Sequence, residues 1–449
     1  MSEVARAVEG TLIGDDVEVR GVTTDSRDEV EGALFVALPG ERVDGHRFVA
    51  ESLERGAAGV LVREGFDVDG PAVCVRSTSE ALLRLASYER TRRLGLTVVA
   101  VTGANGKTST KDMAETVCAT VLRTHASPGS FNNEVGLPRT LLGAPDDAEI
   151  VIAEMGARRR GDVSLLCDIA RPDMVVVTNV GVAHLEIFGS WEAIVEASAE
   201  SVEALDDDGI AILNADDAVV MRYASQCRAK VVTFGLAAGG QVRGEAVALG
   251  RDGLATFDLV HEGDRERVTL AVPGQHMVPN ALAAAAVGLE LGVPFAACAS
   301  ALAHAAVSRW RMESFTTPDG VRIVNDAYNA NPESMAAALR TARWMAGEGK
   351  LVAVLGGMAE LGPISQEEHE RLGELAARLR VDRLITVGGE GRAIAMAAIR
   401  EGVEPEDVAS YDDPGGAAED VRRHAGRGDV VLCKASRVVG LERVAEALR

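Results

Sequence analysis

Positive charge is in short supply. Lys and Arg number 46 against 68 Asp and Glu, a net charge of −22 over 449 residues. A field of that sign repels DNA, RNA and anionic lipid, so no nucleic-acid partner is expected. It leaves room for a small anion, because a local basic pocket works within an acidic envelope. Cysteines are few and scattered, at 74, 118, 167, 227, 298 and 433, with no C-x-x-C pair. That pattern argues against a zinc knuckle and predicts a reducing, cytoplasmic setting. No long apolar run exists. The longest weakly polar stretch, Ala281 to Val307, carries Glu290 and His304 and is broken by Gly292 and Pro294. A membrane span needs ~20 strongly apolar residues, so this mostly alanine stretch predicts two packed helices and no membrane insertion. Ser2 to Arg6 lead into no apolar segment, so no signal peptide is predicted. The chain also lacks an internal repeat, a low-complexity tail, and the Asn-Lys-x-Asp stretch of a GTP-specific switch.

What is present centres on residues 96 to 112. The β-branched run Val98 to Val101 predicts a buried parallel strand. It breaks into the glycine turn Gly103 to Gly106. Lys107, Thr108 and Ser109 then open a helix with Met113, Val117 and Val121 on its apolar face. Glycines let backbone N–H groups crowd an anion, and the helix N-terminus and lysine add positive charge. A threonine hydroxyl beside the lysine suits the Mg²⁺ that accompanies a nucleotide. The unit therefore reads as a phosphate-binding loop.

The length predicts two or three domains, each with its own core. Residues 1–95 alternate short β-like runs (Val17 to Val19, Leu34 to Leu38, Gly56 to Val62) with turns, around the helix-like stretch Phe48 to Glu54. The turns hold Thr24-Asp25-Ser26-Arg27 and Asp44-Gly45-His46. Residues 96–309 form the nucleotide-loop domain. There, Glu149 to Ala153 leads into Glu154, and Met174 to Thr178 leads into Asn179 and His184. Ligands in an open parallel sheet sit at the carboxyl ends of strands, which puts Glu154 and His184 beside the phosphate loop as candidate metal ligands. The polar loop Ser130 to Pro138 is long for a connection, as functional loops often are. A boundary is expected at Trp310 to Glu313. Residues 310–449 then alternate strand candidates (Val321 to Val324, Leu351 to Leu355, Leu384 to Val387, Val430 to Leu432) with helices at Ser334 to Met345 and Gln366 to Leu379. Such alternation predicts a parallel sheet covered on both faces, an α/β fold. No G-x-G-x-x-G follows these strands, which leaves a nicotinamide site unsupported.

In order along the chain, these stretches resemble the Mur ligases. The short loop Thr102-Gly103-Ala104-Asn105-Gly106-Lys107-Thr108 is similar to that family's phosphate loop. So are Glu154-Met155-Gly156, Thr178-Asn179 with His184-Leu185-Glu186, Phe188-Gly189-Ser190, and Phe131-Asn132-Asn133-Glu134. Leu213-Asn214-Ala215-Asp216, Arg311-Met312-Glu313, and Asp326 with Tyr328-Asn329-Ala330-Asn331-Pro332 complete the set. Tyr328 to Pro332 and Leu355 to Gly362 are similar to the dipeptide-adding branch, and the Asp-Asn-Pro-Arg tetrapeptide of the diaminopimelate-adding branch is absent.

The resemblance implies three α/β domains. These are a small uridine-nucleotide domain, a central P-loop parallel-sheet ATPase domain and a C-terminal Rossmann-like domain. It also implies a monomeric ATP-dependent amide ligase working through an acyl phosphate on UDP-N-acetylmuramoyl-tripeptide, with D-alanyl-D-alanine as the amine. Another amino-acid-adding member, a folylpolyglutamate synthetase or a weakened paralogue are the rival readings. In the implied site, Gly103, Asn105, Gly106, Lys107, Thr108 and Ser109 cradle ATP. Thr108 and Glu154 hold Mg²⁺, and His184 a second Mg²⁺. Asn280 meets adenine, Arg311 the phosphates, and Asp326 with Asn329 the ribose side. Ser26 and Arg27 hold the uridine diphosphate, and Asn132 and Asn133 the muramyl part. The chain departs from the family in two places. Ser198 stands where relatives carry a carbamylated lysine, and Gly357 where acidic residues are frequent. Glu196 or Glu200 substituting for the carbamate, a second metal held by Glu154, His184 and water, and a weakened enzyme are the open explanations.

Overall fold

The computed structural model describes residues 1–40 and 43–449. Its strands fall into three sheets. The first runs in the order Thr11–Ile13, Ala72–Val75, Gly59–Arg63, Leu34–Val36, Val22–Thr23, and only its Thr11–Ile13 edge is antiparallel. Val17 to Val19, expected as β-like, form no strand. The residues are half-buried or exposed and carry Glu18 between the two valines, too little apolar surface to hold an edge.

The middle sheet has nine strands. Thr97–Thr102 lies between Ile150–Glu154 and Met174–Val177 and is parallel to both. Its valines are fully buried, as the unbroken β-branched run requires. The chain leaves Thr97–Thr102 toward Thr124–Ala126 and Ile150–Glu154 on one side and returns to Met174–Val177 on the other. The phosphate loop therefore sits at a topological switch point. The sheet is not wholly parallel. Val242–Leu249, Leu254–His261 and Asp264–Pro273 form an antiparallel meander on its far edge. Charges on alternate or consecutive positions, such as Asp264 to Arg267, hid these strands from an apolar-run reading.

The Lys107–Cys118 helix follows the loop. It ends before Val121, which is half-exposed, so the expected apolar face is one turn shorter. Against it packs Met277–Glu290, one of two alanine-rich helices; Phe295–Leu302 is the other. The two axes approach so closely that a Cβ on Gly288 would lie 2.4 Å from Val117 Cγ1. Alanine and glycine permit that approach, and overpacking there costs about 1–3 kcal/mol. The third sheet runs Glu313–Thr316, Arg322–Asn325, Val430–Lys434, Leu351–Gly356, Arg383–Val387, Val408–Tyr411. It is parallel except for its first strand. One buried apolar cluster is continuous from Met113 and Ala284 to Leu339 and Leu432, so the middle and third units are packed on each other.

Candidate active site

Strand ends of the middle sheet, at Thr102, Glu154, Thr178 and Asn214, and of the third sheet, at Asp326 and Lys434, open on one cleft of about 1270 Å³. The phosphate loop lies on its floor. Gly103 has φ +129, and a Cβ there would fall 2.1 Å from Thr178 Oγ1, so only glycine fits. Thr178 and Asn179 lock the loop from the neighbouring strand. Thr178 Oγ1 donates to Asn105 O at 2.7 Å, and Asn179 Oδ1 accepts from Asn105 N at 2.8 Å. Gly106, at φ +82, is roofed by Asn280, whose Oδ1 would lie 2.3 Å from a Cβ there.

Lys107 folds back onto its own loop, donating to Gly103 O at 2.6 Å. Burial pushes its ammonium below the usual lysine range; Glu154 opposes that shift and Arg311 adds to it. A half-buried cation held only by carbonyls has reason to take an anionic partner. Thr108 Oγ1 donates to Glu154 Oε2 at 2.6 Å, and both residues are buried. Asn132 Nδ2 donates to Glu154 Oε1 at 2.8 Å. Thr108 and Glu154 thus offer two adjacent hard oxygens, the donor type Mg²⁺ takes. Among the described residues no three His, Cys, Asp or Glu cluster as a metal cage.

His184 lies on the cleft wall, on the loop after Met174–Val177. Its Nδ1 contacts the carboxylate of Glu360, which arrives from the third unit. Burial pushes the imidazole down; the Glu360 hydrogen bond opposes this. Arg311 stacks 4.3 Å from the centroid of Tyr328, and its buried Nε has no partner. An orphaned guanidinium N–H is a ready anion donor, and Arg311 is among the cleft's lining residues. Asp326 accepts from Lys434 Nζ at 2.6 Å and from Met312 N at 3.0 Å. Asn329 lends its carbonyl to the same lysine at 3.0 Å.

Not every expected residue joins this cleft. Ser26 is buried in the first unit and Arg27 is exposed, forked onto Asp25 at 2.8 and 2.6 Å. That pairing holds the Asp25 carboxyl down at about 2. Neither lines the cleft, although Arg139 Nη2 on Asp28 at 2.8 Å ties their turn to the middle unit. Asn133 borders the cleft, and its Oδ1 accepts from Gly136 N at 2.9 Å, where the Gly136–Leu142 helix begins.

Neither Glu196 nor Glu200, the carboxylates considered as substitutes for the carbamate, lines the cleft. Glu196 pairs with Arg160 at 2.7 Å on the surface. Glu200 accepts from Gly161 N at 2.7 Å and Ser164 N at 3.0 Å, at the start of the Asp162–Ala170 helix. Ser198 Oγ donates to Ile194 O at 2.8 Å within its own helix. At Gly357, a Cβ would lie 2.2 Å from Glu390 Oε2, so the space of the missing acid is filled by another carboxylate.

Sequence reasoning missed Glu360, Glu333, Lys434 and Ser436 as individual site residues, yet all four line the cleft. Lys434 left one signal, a lysine ending the apolar run Val430 to Cys433 at a parallel strand's carboxyl end.

Three domain families match the chain: "Mur ligase family, catalytic domain" over 18–102, "Mur ligase middle domain" over 101–288, and "Mur ligase, glutamate ligase domain" over 310–437. A UDP-N-acetylmuramoyl-tripeptide–D-alanyl-D-alanine ligase of Bacillus subtilis (strain 168) is 36% identical, with 100% of this chain and 98% of that protein covered. A crystal structure of MurF from Acinetobacter baumannii superposes with a TM-score of 0.88 at 29% identity, covering 100% of this chain and 98% of the other. MurF from Thermotoga maritima in complex with ADP gives 0.83 at 31% identity, covering 97% and 98%. Among the described residues no helix is long and apolar enough to cross a membrane.

Proposed function

The chain belongs to the Mur ligase family, and from that premise we propose that it is the ATP-dependent ligase that joins D-alanyl-D-alanine to UDP-N-acetylmuramoyl-tripeptide. The observation that carries this reading is 36% identity, end to end, with a ligase of that name. We read 1–95 as the UDP-muramyl-binding unit, 96–309 as the ATP unit and 310–449 as the unit that brings the dipeptide.

The γ-phosphoryl group of ATP passes to the terminal carboxylate of the tripeptide, and ADP leaves. The dipeptide amine attacks the acyl carbon, the carbon–oxygen bond to phosphate breaks, and the nitrogen loses a proton. Amide and phosphate result. The first step brings two anions together, so catalysis is alignment and charge neutralisation. Lys107 would turn from its loop carbonyls to the β- and γ-phosphates, with Ser109 and the loop N–H groups beside it. Arg311, whose Nε lacks a partner, would meet the phosphates from the other side. Asn280 would contact adenine. Asp326, set by Lys434, would take the ribose, with Asn329 next to it. Thr108 and Glu154 would hold one Mg²⁺ and His184 a second, supplying the remaining neutralisation of phosphate charge. Asn132 fixes the Glu154 carboxylate and, with Asn133, would border the muramyl part. Ser26 and Arg27 would hold the uridine diphosphate.

Asn331 and Glu333 of the third unit already reach the phosphate loop. Such closure keeps water from a hydrolysable acyl phosphate. We read the protein as a monomer. Five of its six cysteines are buried and all are free, which supports a reducing cytoplasmic setting.

Competition between amines tests the assignment. With ATP, Mg²⁺ and UDP-N-acetylmuramoyl-tripeptide, the expected product carries D-alanyl-D-alanine even with diaminopimelate, lysine or glutamate in excess. Preference for a single amino acid, on a dipeptide-stage acceptor, would move the chain to another branch of the family.

A further inference from the structure

We propose that Glu360 is the positioning residue for His184, and that docking of the third unit on the middle unit brings it into place. The inference rests on the reading of His184 as a metal ligand and deepens it. The Trp191–Glu203 helix also lines the cleft. Here that helix offers only Ser198, turned onto Ile194 O, while Glu196 and Glu200 are engaged elsewhere. The carboxylate against His184 comes instead from 176 residues away.

The contact is built from both sides. His184 has φ +56 and Glu360 φ +62, left-handed conformations that non-glycine residues keep only where their surroundings impose them. Glu186 N donates to Glu360 O at 3.1 Å, so backbone joins backbone beside the side-chain contact. Gly362, at φ +57, lets the strands of chain close up; a Cβ there would sit 3.1 Å from both Cα and Cβ of Glu186. From its own unit the Glu360 loop is pinned by Ala359 N on Ser436 Oγ at 2.9 Å and Met358 N on His369 Nε2 at 2.8 Å. Arg158 lies 3.8 Å from the second Glu360 oxygen.

A carboxylate on Nδ1 selects the tautomer with the proton there and leaves the Nε2 lone pair for a metal. Because Glu360 belongs to the third unit, the imidazole reaches that state only when the units are docked. Ligand readiness at His184 is thus coupled to closure, without a residue on the middle unit to do it.

The test is histidine side-chain ¹⁵N NMR on the full chain at pH 8.5, with and without ADP and Mg²⁺, His184 being assigned by its loss in His184→Gln. Wild type is expected to show Nδ1–H at His184. Glu360→Ala is expected to lose it in favour of Nε2–H, while Glu360→Gln, whose amide oxygen still accepts, keeps it. Gly362→Val retains the carboxylate but obstructs docking, and is expected to behave like Glu360→Ala. Ligase turnover in Glu360→Ala should fall by about 10–100-fold with the KM for ATP little changed, and recover in Glu360→Gln. An unchanged Nδ1–H in Glu360→Ala overturns the positioning role, and an unchanged Nδ1–H in Gly362→Val overturns its dependence on docking. A wild-type Nε2 resonance that ignores Mg²⁺ and ADP would instead remove the metal-ligand reading, independently of the tautomer comparison.

Discussion

Asn105, in the phosphate loop, donates through Nδ2 to the Glu333 carboxylate at 2.8 Å, although 228 residues separate them. Its Oδ1 accepts from Asn331 Nδ2 at 2.6 Å. The start of the Pro332–Ala346 helix thereby grips the loop that binds phosphate. Asn331 has a second duty, because its Oδ1 caps that helix on Ser334 N at 2.9 Å.

The two duties separate by mutation. Asn331→Ser keeps an oxygen for the cap but cannot span to Asn105. Thermal stability should stay near wild type while kcat/KM for ATP falls by about ten-fold, the loss of roughly one hydrogen bond to the loop. Asn331→Ala should show the same kinetic loss and about 1 kcal/mol less stability in urea denaturation. Equal kinetics in both variants and wild type would mean that the contact has no part in closure.

Lys107 carries the sharpest conflict between stability and activity. Burial holds its ammonium below the ordinary lysine range, so the charged form is a cost to the nucleotide-free fold. Lys107→Met should lower ligase turnover by at least about 100-fold. It should also leave the melting temperature of the nucleotide-free protein unchanged or higher, read by differential scanning fluorimetry.

Away from the cleft, Asp420 makes the third sheet's stability acid-sensitive. Burial pushes its carboxyl up, but hydrogen bonds from Arg383 and Tyr411 and the charges of Arg383 and His424 outweigh it, leaving a net shift downward. The Arg383 fork spans 2.9 and 2.7 Å. A carboxyl held below its unfolded value stabilises above that value and loses the contribution as pH falls through the folded one. Asp420→Asn should therefore cost about 3 kcal/mol at pH 7. The gap to wild type should narrow below about pH 4 in denaturant titrations.

Ser198 offers a gain-of-dependence test. The residue lines the cleft from the Trp191–Glu203 helix. Ser198→Lys would place an amine there that CO₂ can carbamylate. Activity of the variant should rise with added bicarbonate, while wild type should not respond. A variant as active as wild type and indifferent to bicarbonate would count against this position as a carbamate site.

The strand, loop and helix around Lys107 were legible because a β-branched run, a glycine turn and a helical period stand in immediate succession. Glu154 and His184 were legible as strand-end residues, since a parallel sheet brings those ends together. The antiparallel meander was not, because its alternating charges carry no long apolar run. Glu360 and Glu333 were hidden for a different reason. Each meets its partner across two units, and nothing local marks a glutamate in a loop as the one that will cross. Ser198 showed in sequence that a group was missing, but the competing roles of Glu196 and Glu200 required the side-chain contacts. Arg27 is assigned to a ligand by resemblance alone, and its pairing with Asp25 two residues away is the contact the structure shows.

The measurement that bears most directly on the whole account is phosphate release by the purified protein with ATP and Mg²⁺, omitting UDP-N-acetylmuramoyl-tripeptide and D-alanyl-D-alanine in turn. The account predicts release only with both present, and a product heavier than the tripeptide substrate by D-alanyl-D-alanine less one water. Release that ignores both substrates would contradict it and describe a plain ATPase. Nucleotide binding with no release would contradict it as well, and would mark Ser198 as the lesion of an inactive ligase.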